Sequence, residues 1–296
     1  MNDNKQESYI YVGPKGQRYA TIPPIEINEI PEKLYHYTSY DSVFNIINSK
    51  KLWITQINFL NDESEFKYAG DIGRRYLIKL LKSSLGNDEK YVYEKLLENT
   101  VFDHSNNCFV FSLSEEKDLL SQWRGYCKDS GVSMGFNYTE LLNISNEQQF
   151  KIYPCIYSLE DQEKAIKRII DDITQLYKKN KFDIHNHNFF WQVFNSMFSI
   201  LAKCIKHPSF KEEKEWRLIG GPFKISDQKC NYRPTKNMLI PYYEFDLSSS
   251  ETLGLDEFVI GPNKHLHRAR ESFSLFGHRN KYRWNVKTTE IPFLPE

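Results

Sequence analysis

Hydrophobic and polar positions alternate or recur with clear periods after residue 33. Leu34-Tyr35-His36-Tyr37-Thr38-Ser39 is short, ring-rich and β-prone, and its hydroxyl end offers a cap for a helix. In that helix Val43, Ile46 and Ile47 share one face at i, i+3 and i+4. Lys51 to Asn58 reads as a second strand. Leu52, Ile54 and Gln56 face one way; Trp53, Thr55 and Ile57 face the other. Asn61-Asp62 then suggests a turn and cap, with Glu63 and Glu65 in the first turn of a helix carrying Phe66, Tyr68 and Ala69. Tyr91 to Leu97 predicts a further helix.

Strands are predicted at Cys108–Leu113, Val132–Phe136 and Ile152–Tyr157, and a helix or helical lid over Ser114–Tyr126. Glu163–Lys179 is amphipathic, with Ile166, Ile169, Ile170, Ile173 and Leu176 on one side. The apolar stretch Phe189–Ile205 is short for a membrane span and carries Gln192, Asn195 and Lys203, so it predicts a buried helix. Late strands are expected at Trp216–Ile219, Tyr242–Phe245 and Phe258–Ile260. The first thirty residues form a polar arm with one short strand at Tyr9–Val12, broken by Gly and Pro. Helices and strands mix without strict alternation, which favours α+β over a doubly wound sheet.

Composition narrows the function. Among 296 residues, 39 Lys and Arg balance 39 Asp and Glu, so whole-protein charge does not hold nucleic acid. Aromatic residues make up 15% and can both stiffen a core and wall a cleft. Five widely spaced Cys, with no C-x-x-C, fit a reducing cytoplasm better than a disulfide or zinc scaffold. The N-terminus shows no secretory signal. G-x-S-x-G, Walker, G-x-G-x-x-G and H-E-x-x-H motifs are all absent. His185-x-His187 lacks a helpful third ligand and reads as a solvated linker.

Three constellations carry chemistry. The first joins His36 and Tyr37 to Trp53 and Thr55, with Tyr68 one turn into the next helix; these are either a ring-walled cleft or core residues with satisfied tips. The second is Glu213-x-Glu215-Trp216-Arg217. As a strand it sets Glu213, Glu215 and Arg217 on one face and Trp216 and Leu218 in the core. A carboxylate held there stabilises a developing cation or accepts a proton; a solvated edge strand is the competing reading. The third is Leu120-Ser121-Gln122-Trp123-Arg124-Gly125-Tyr126, a lid over a ligand or a packing segment.

Taken in order, Leu34-Tyr35-His36-Tyr37-Thr38, Leu52-Trp53, Asn61-Asp62-x-x-Glu65, Ser112, Ser121-Gln122-Trp123 with Tyr126, and Glu213-x-Glu215-Trp216-Arg217 resemble a bacterial family known only as domain of unknown function 2971. Some of its members are described as abortive phage resistance proteins. The layout is also similar to the His-Tyr-Glu class of ADP-ribosyltransferases. That resemblance implies a split β-sheet core with helical insertions: an arm over 1–30, then one domain over 31–296 with a helical insertion around 160–206. It implies NAD as substrate, with His36 and Glu215 catalytic. His36, Tyr37, Trp53, Thr55 and Tyr68 would hold NAD, Trp53 standing where the class has Tyr. Glu213, Arg217, Gln122, Trp123 and Tyr126 would meet the acceptor, a protein or nucleic acid, alongside a defence-system partner protein. The rival readings are a metal-dependent nuclease using Asp62, Glu63, Glu65 and His36, and a non-catalytic sensor or antitoxin-like binding module.

Overall fold

The computed structural model describes residues 9–12, 18–21, 25–60, 64–83, 85–98, 107–127, 130–180 and 187–292. The chain divides into two compact units: 1–26, 62–104 and 155–210 form one, and 27–61, 105–154 and 211–296 the other.

The first unit is mainly helical. It holds the hairpin of β1 (Tyr9–Val12) and β2 (Arg18–Thr21), and helices α2 (Ser64–Leu81), α3 (Asn87–Glu98), α6 (Leu159–Asn180) and α7 (His187–Ala202). On α6 the expected Ile166, Ile169, Ile170 and Ile173 are buried, together with Ala165, whereas Leu176 near the end of the stripe is only half-buried. On α7, Val193, Phe194, Met197, Phe198 and Leu201 are buried, and no helix among the described residues is long and apolar enough to cross a membrane. The buried Gln162 side chain donates to the carbonyls of Ile156, Tyr157 and Lys206, tying the start of α6 to the chain after α7.

The second unit is built on a ten-stranded sheet. Its strands are β3 (Lys33–Thr38), β4 (Lys51–Gln56), β5 (Phe109–Ser114), β6 (Val132–Asn137), β7 (Phe150–Pro154), β8 (Glu215–Gly220), β9 (Cys230–Pro234), β10 (Leu239–Asp246), β11 (Leu255–Ile260) and β12 (Asn285–Thr288). Helices α1 (Tyr40–Ser49), α4 (Leu120–Tyr126), α5 (Tyr138–Glu147) and α8 (Leu266–Arg279) belong to the same unit. All pairings are antiparallel except β11 with β12.

The sheet forks at β5. One edge of β5 pairs along its length with β8, which pairs in turn with β7. The other edge is shared. β4 pairs with it at Val110 and Phe109, and β3 only at Ser114. Two arms leave the fork: β3-β6-β11-β12 and β4-β10-β9. Residues 111–113 face the opening between the arms.

Local chemistry accounts for the elements around the fork. The Ser39 side chain caps α1 by accepting from the Ser42 amide, and Lys50 ends the helix in the left-handed region at φ 57°. Val43, Ile46 and Ile47 bury the predicted face. Trp216 and Leu218 enter the core, where Trp216 donates to Glu115 and meets Tyr138 edge-on. The structure differs from expectation at 114–119, where β5 ends at Ser114 and the helix begins only at Leu120. The third expected strand also starts earlier, at Phe150, and ends at Pro154, beyond which only Ile156 forms an isolated bridge, with Ile205.

Candidate functional site

The sheet opening is where residues of all three predicted constellations come together. A cavity there is lined by Tyr35, His36, Ser112, Gln122, Glu213 and Glu215, among others. It encloses about 30 Å³, inside a hollow of about 320 Å³ that counts its open mouth. The half-exposed Tyr126 ring stands among the lining groups.

Strand pairing explains which groups meet. Tyr35, Ser114 and Glu215 are in register across β3, β5 and β8, as are Ser112 and Arg217, so all five share a face. Alternation sends His36 to the opposite face, beside Phe111, on which its ring stacks at 4.1 Å. His36 still reaches the cavity because the sheet is open beside it. Its Nδ1–H donates to the Ser112 carbonyl at 3.0 Å, supplying a partner to a strand carbonyl at the opening. That bond fixes the tautomer and leaves Nε2 as an acceptor.

Burial pushes the His36 pKa down to about 4, against a smaller opposing effect of the Ser112 bond. The half-buried imidazole is therefore neutral at pH 7. Between pH 6.5 and about 4 the unfolded chain takes up a proton that the folded chain refuses. Folded stability should thus fall as pH drops through that window, and the effect should be absent above pH 6.5. Urea midpoints at pH 7 and pH 5 check this. The wild type should lose more than His36→Gln, and equal losses would contradict a neutral buried imidazole.

Glu215 is buried and receives both arms of an Arg217 fork, Nε to Oε1 at 2.8 Å and Nη2 to Oε2 at 3.2 Å. The pair holds the carboxylate at the start of β8. Glu213 ends a 3-10 turn (Pro208–Glu213), and its carbonyl accepts from Ser114 Oγ at 2.6 Å. Lys214, between the two glutamates, adopts φ 41°, a left-handed conformation costing about 1–2 kcal/mol outside glycine. The turn and the Ser114 bond bring both glutamates to one cavity. The wall thus presents two carboxyl side chains and one neutral imidazole, suited to hydrogen-bonding hydroxyls and to facing a developing positive charge.

The other predicted residues divide between this cavity and the rest of the fold. Tyr37 lines the same cavity, but its hydroxyl donates to the Glu116 carbonyl and accepts from the Leu119 amide. Burial raises its pKa. Trp123 is buried, edge-on to Tyr37 at 4.7 Å, and its Nε1–H donates to Asp118 at 2.6 Å. Trp123 is therefore a packing residue, whereas Gln122 and Tyr126 line the cavity. Arg217 acts through Glu215. Trp53 and Thr55 lie on β4; Thr55 Oγ1 accepts from Arg233, and Trp53 stacks on Tyr242. Tyr68 belongs to the helical unit, where its hydroxyl donates to Gln162 at 3.3 Å.

Asp62, Glu63, His185 and the side chains of Glu65 and His187 lie outside the described residues. Among the described residues no three His, Cys, Asp or Glu gather as a metal site. Tyr35 and Ser112 were not expected at the site. Alternation from His36 places Tyr35 on the Glu215 face only once the strand register is known.

Residues 122–218 match the family described as Protein of unknown function (DUF2971), roughly a third of the chain. The match takes in Gln122, Glu213 and Glu215 and begins well after His36. No curated protein and no solved structure matches the chain.

Proposed function

We propose that the chain is an ADP-ribosyltransferase-like enzyme that uses NAD as substrate and modifies a protein or nucleic-acid acceptor in bacterial anti-phage defence. The observation that carries the enzymatic part is the shared cavity of His36, Glu213 and Glu215 at the sheet opening. The defence role rests on the resemblance of the sequence motifs.

Glycosidic cleavage of NAD passes through a ribose with oxocarbenium character. Glu215, held by Arg217, would hydrogen-bond a ribose hydroxyl and stabilise that positive charge. His36 Nε2 would accept from a second hydroxyl while its Nδ1–H stays on Ser112. The C1′–N bond breaks and its electron pair leaves with nicotinamide, which departs neutral. A lone pair on the acceptor forms the new bond to C1′, and Glu213 takes the acceptor's proton. The hollow around the enclosed space is open to solvent, and the half-exposed Tyr126 is among its lining groups.

Incubation with NAD labelled in its adenylate part, with and without bacterial or phage lysate, tests this reading. Labelled macromolecule and free nicotinamide are the expected products. Intact NAD under every condition would oppose it.

A further inference from the structure

The carboxylate cavity has a basic neighbour that also includes His36. This second cavity, of about 120 Å³, is lined by Thr38, Ser42, Asn45, Lys51, Trp53 and Arg233, among others. Among the described residues no Asp or Glu lines it, whereas the first cavity has two Glu and no Lys or Arg. Ser42, Asn45 and Ser49 come from one polar stripe of α1, opposite Val43 and Ile47. Lys51 is ion-paired with Glu244, so its charge is largely balanced.

Arg233 is different. It sits on β9, half-buried, and donates to Thr55 Oγ1 at 3.0 Å. Among the described residues no carboxylate stands within ion-pair distance of it. Holding a cation partly out of water without a counter-charge is costly, and an anion entering the cavity removes that cost. A guanidinium fork matches two phosphate oxygens. Beside it Trp53, stacked on Tyr242 at 4.5 Å, keeps 43% of its surface exposed. A braced, exposed indole is a platform for a planar base. Serine, threonine and asparagine side chains supply donors for the remaining oxygens.

We infer that this second cavity binds a phosphorylated nucleoside, with Arg233 gripping phosphate and Trp53 offering its ring to the base. The inference concerns binding alone and holds whether or not the carboxylate cavity cleaves NAD.

Calorimetric titration of the full chain with ADP, inorganic diphosphate, adenosine and a short single-stranded oligonucleotide tests it. ADP should bind most tightly, diphosphate more weakly and adenosine least. Arg233→Met should weaken ADP about tenfold or more, the loss of a charge-assisted contact. Asn45→Asp, at an exposed helix position that does not threaten folding, should also weaken ADP by placing a carboxylate in the cavity. Four results would overturn the inference: no ADP binding by the wild type, adenosine binding as tightly as ADP, preference for the oligonucleotide, or unchanged ADP affinity in the Asn45→Asp chain together with a folded Arg233→Met chain.

Discussion

A Glu215→Gln chain is expected to lose about 10²–10³-fold in the rate of nicotinamide release from NAD. The substitution preserves shape and keeps one oxygen to accept from Arg217, but it leaves the buried guanidinium without its counter-charge, so the folded fraction is measured by urea denaturation beside the turnover. What disappears is the negative charge facing the ribose as it becomes cationic. That interaction strengthens in the transition state, so the loss should fall on kcat, with NAD affinity changing by no more than about threefold. Glu213→Gln should behave differently. It removes the group that takes the acceptor's proton, so transfer to a macromolecule should drop further than hydrolysis of NAD by water. Equal turnover by wild type and Glu215→Gln would remove Glu215 from the chemistry.

Trp123→Ala is expected to cost about 3–5 kcal/mol of folding stability. The indole is almost completely buried. It packs on Tyr37, and Gly261 lies so near that a Cβ there would come within 2.7 Å of the ring. Its Nε1–H donates to Asp118, which also accepts from the Thr289 hydroxyl and the Glu290 amide. One side chain thus joins α4, the loop after β5 and the segment after β12. Trp123→Phe retains most of the packing and loses the indole donor, so it should cost only about 0.5–3 kcal/mol. Urea denaturation of the three proteins measures both values. A Trp123→Ala chain with wild-type stability and lost NAD binding would instead make Trp123 a ligand contact.

The contrast between Trp123 and Glu215 indicates what a sequence reveals here. Two-residue alternation separates Glu215 and Arg217 from Trp216 and Leu218, because a strand has only two faces. The ring-rich run at His36, the Ser39 cap and the apolar face of α1 are equally local features, and all are visible without coordinates. Trp123 is not decided by such a pattern. Whether an indole faces a ligand or the core depends on what packs above it, and Tyr37, Asp118 and Gly261 come from distant parts of the chain.

Elements whose apolar pattern is weak or interrupted are not legible in the sequence. Helix α8 fully buries only Phe273 and Gly277, so its sequence reads as polar. Helix α5 has Leu141 and Ile144 in period, but its Asn- and Ser-rich end resembles a loop. Strands β9 and β12 lie at the two ends of the arms, and Val286 is the single buried residue of β12. Missing β9 meant missing Arg233. The fork itself is a property of β5, whose one edge serves two strands, and no residue pattern in β5 announces it.

The most direct test is a crystal structure of the Glu215→Gln chain with NAD, in which turnover is slow enough to trap the substrate. The account predicts the nicotinamide ribose at the sheet opening, with one hydroxyl within hydrogen-bond reach of His36 Nε2 and another beside residue 215. NAD bound away from His36, or an empty opening at saturating NAD, would contradict it.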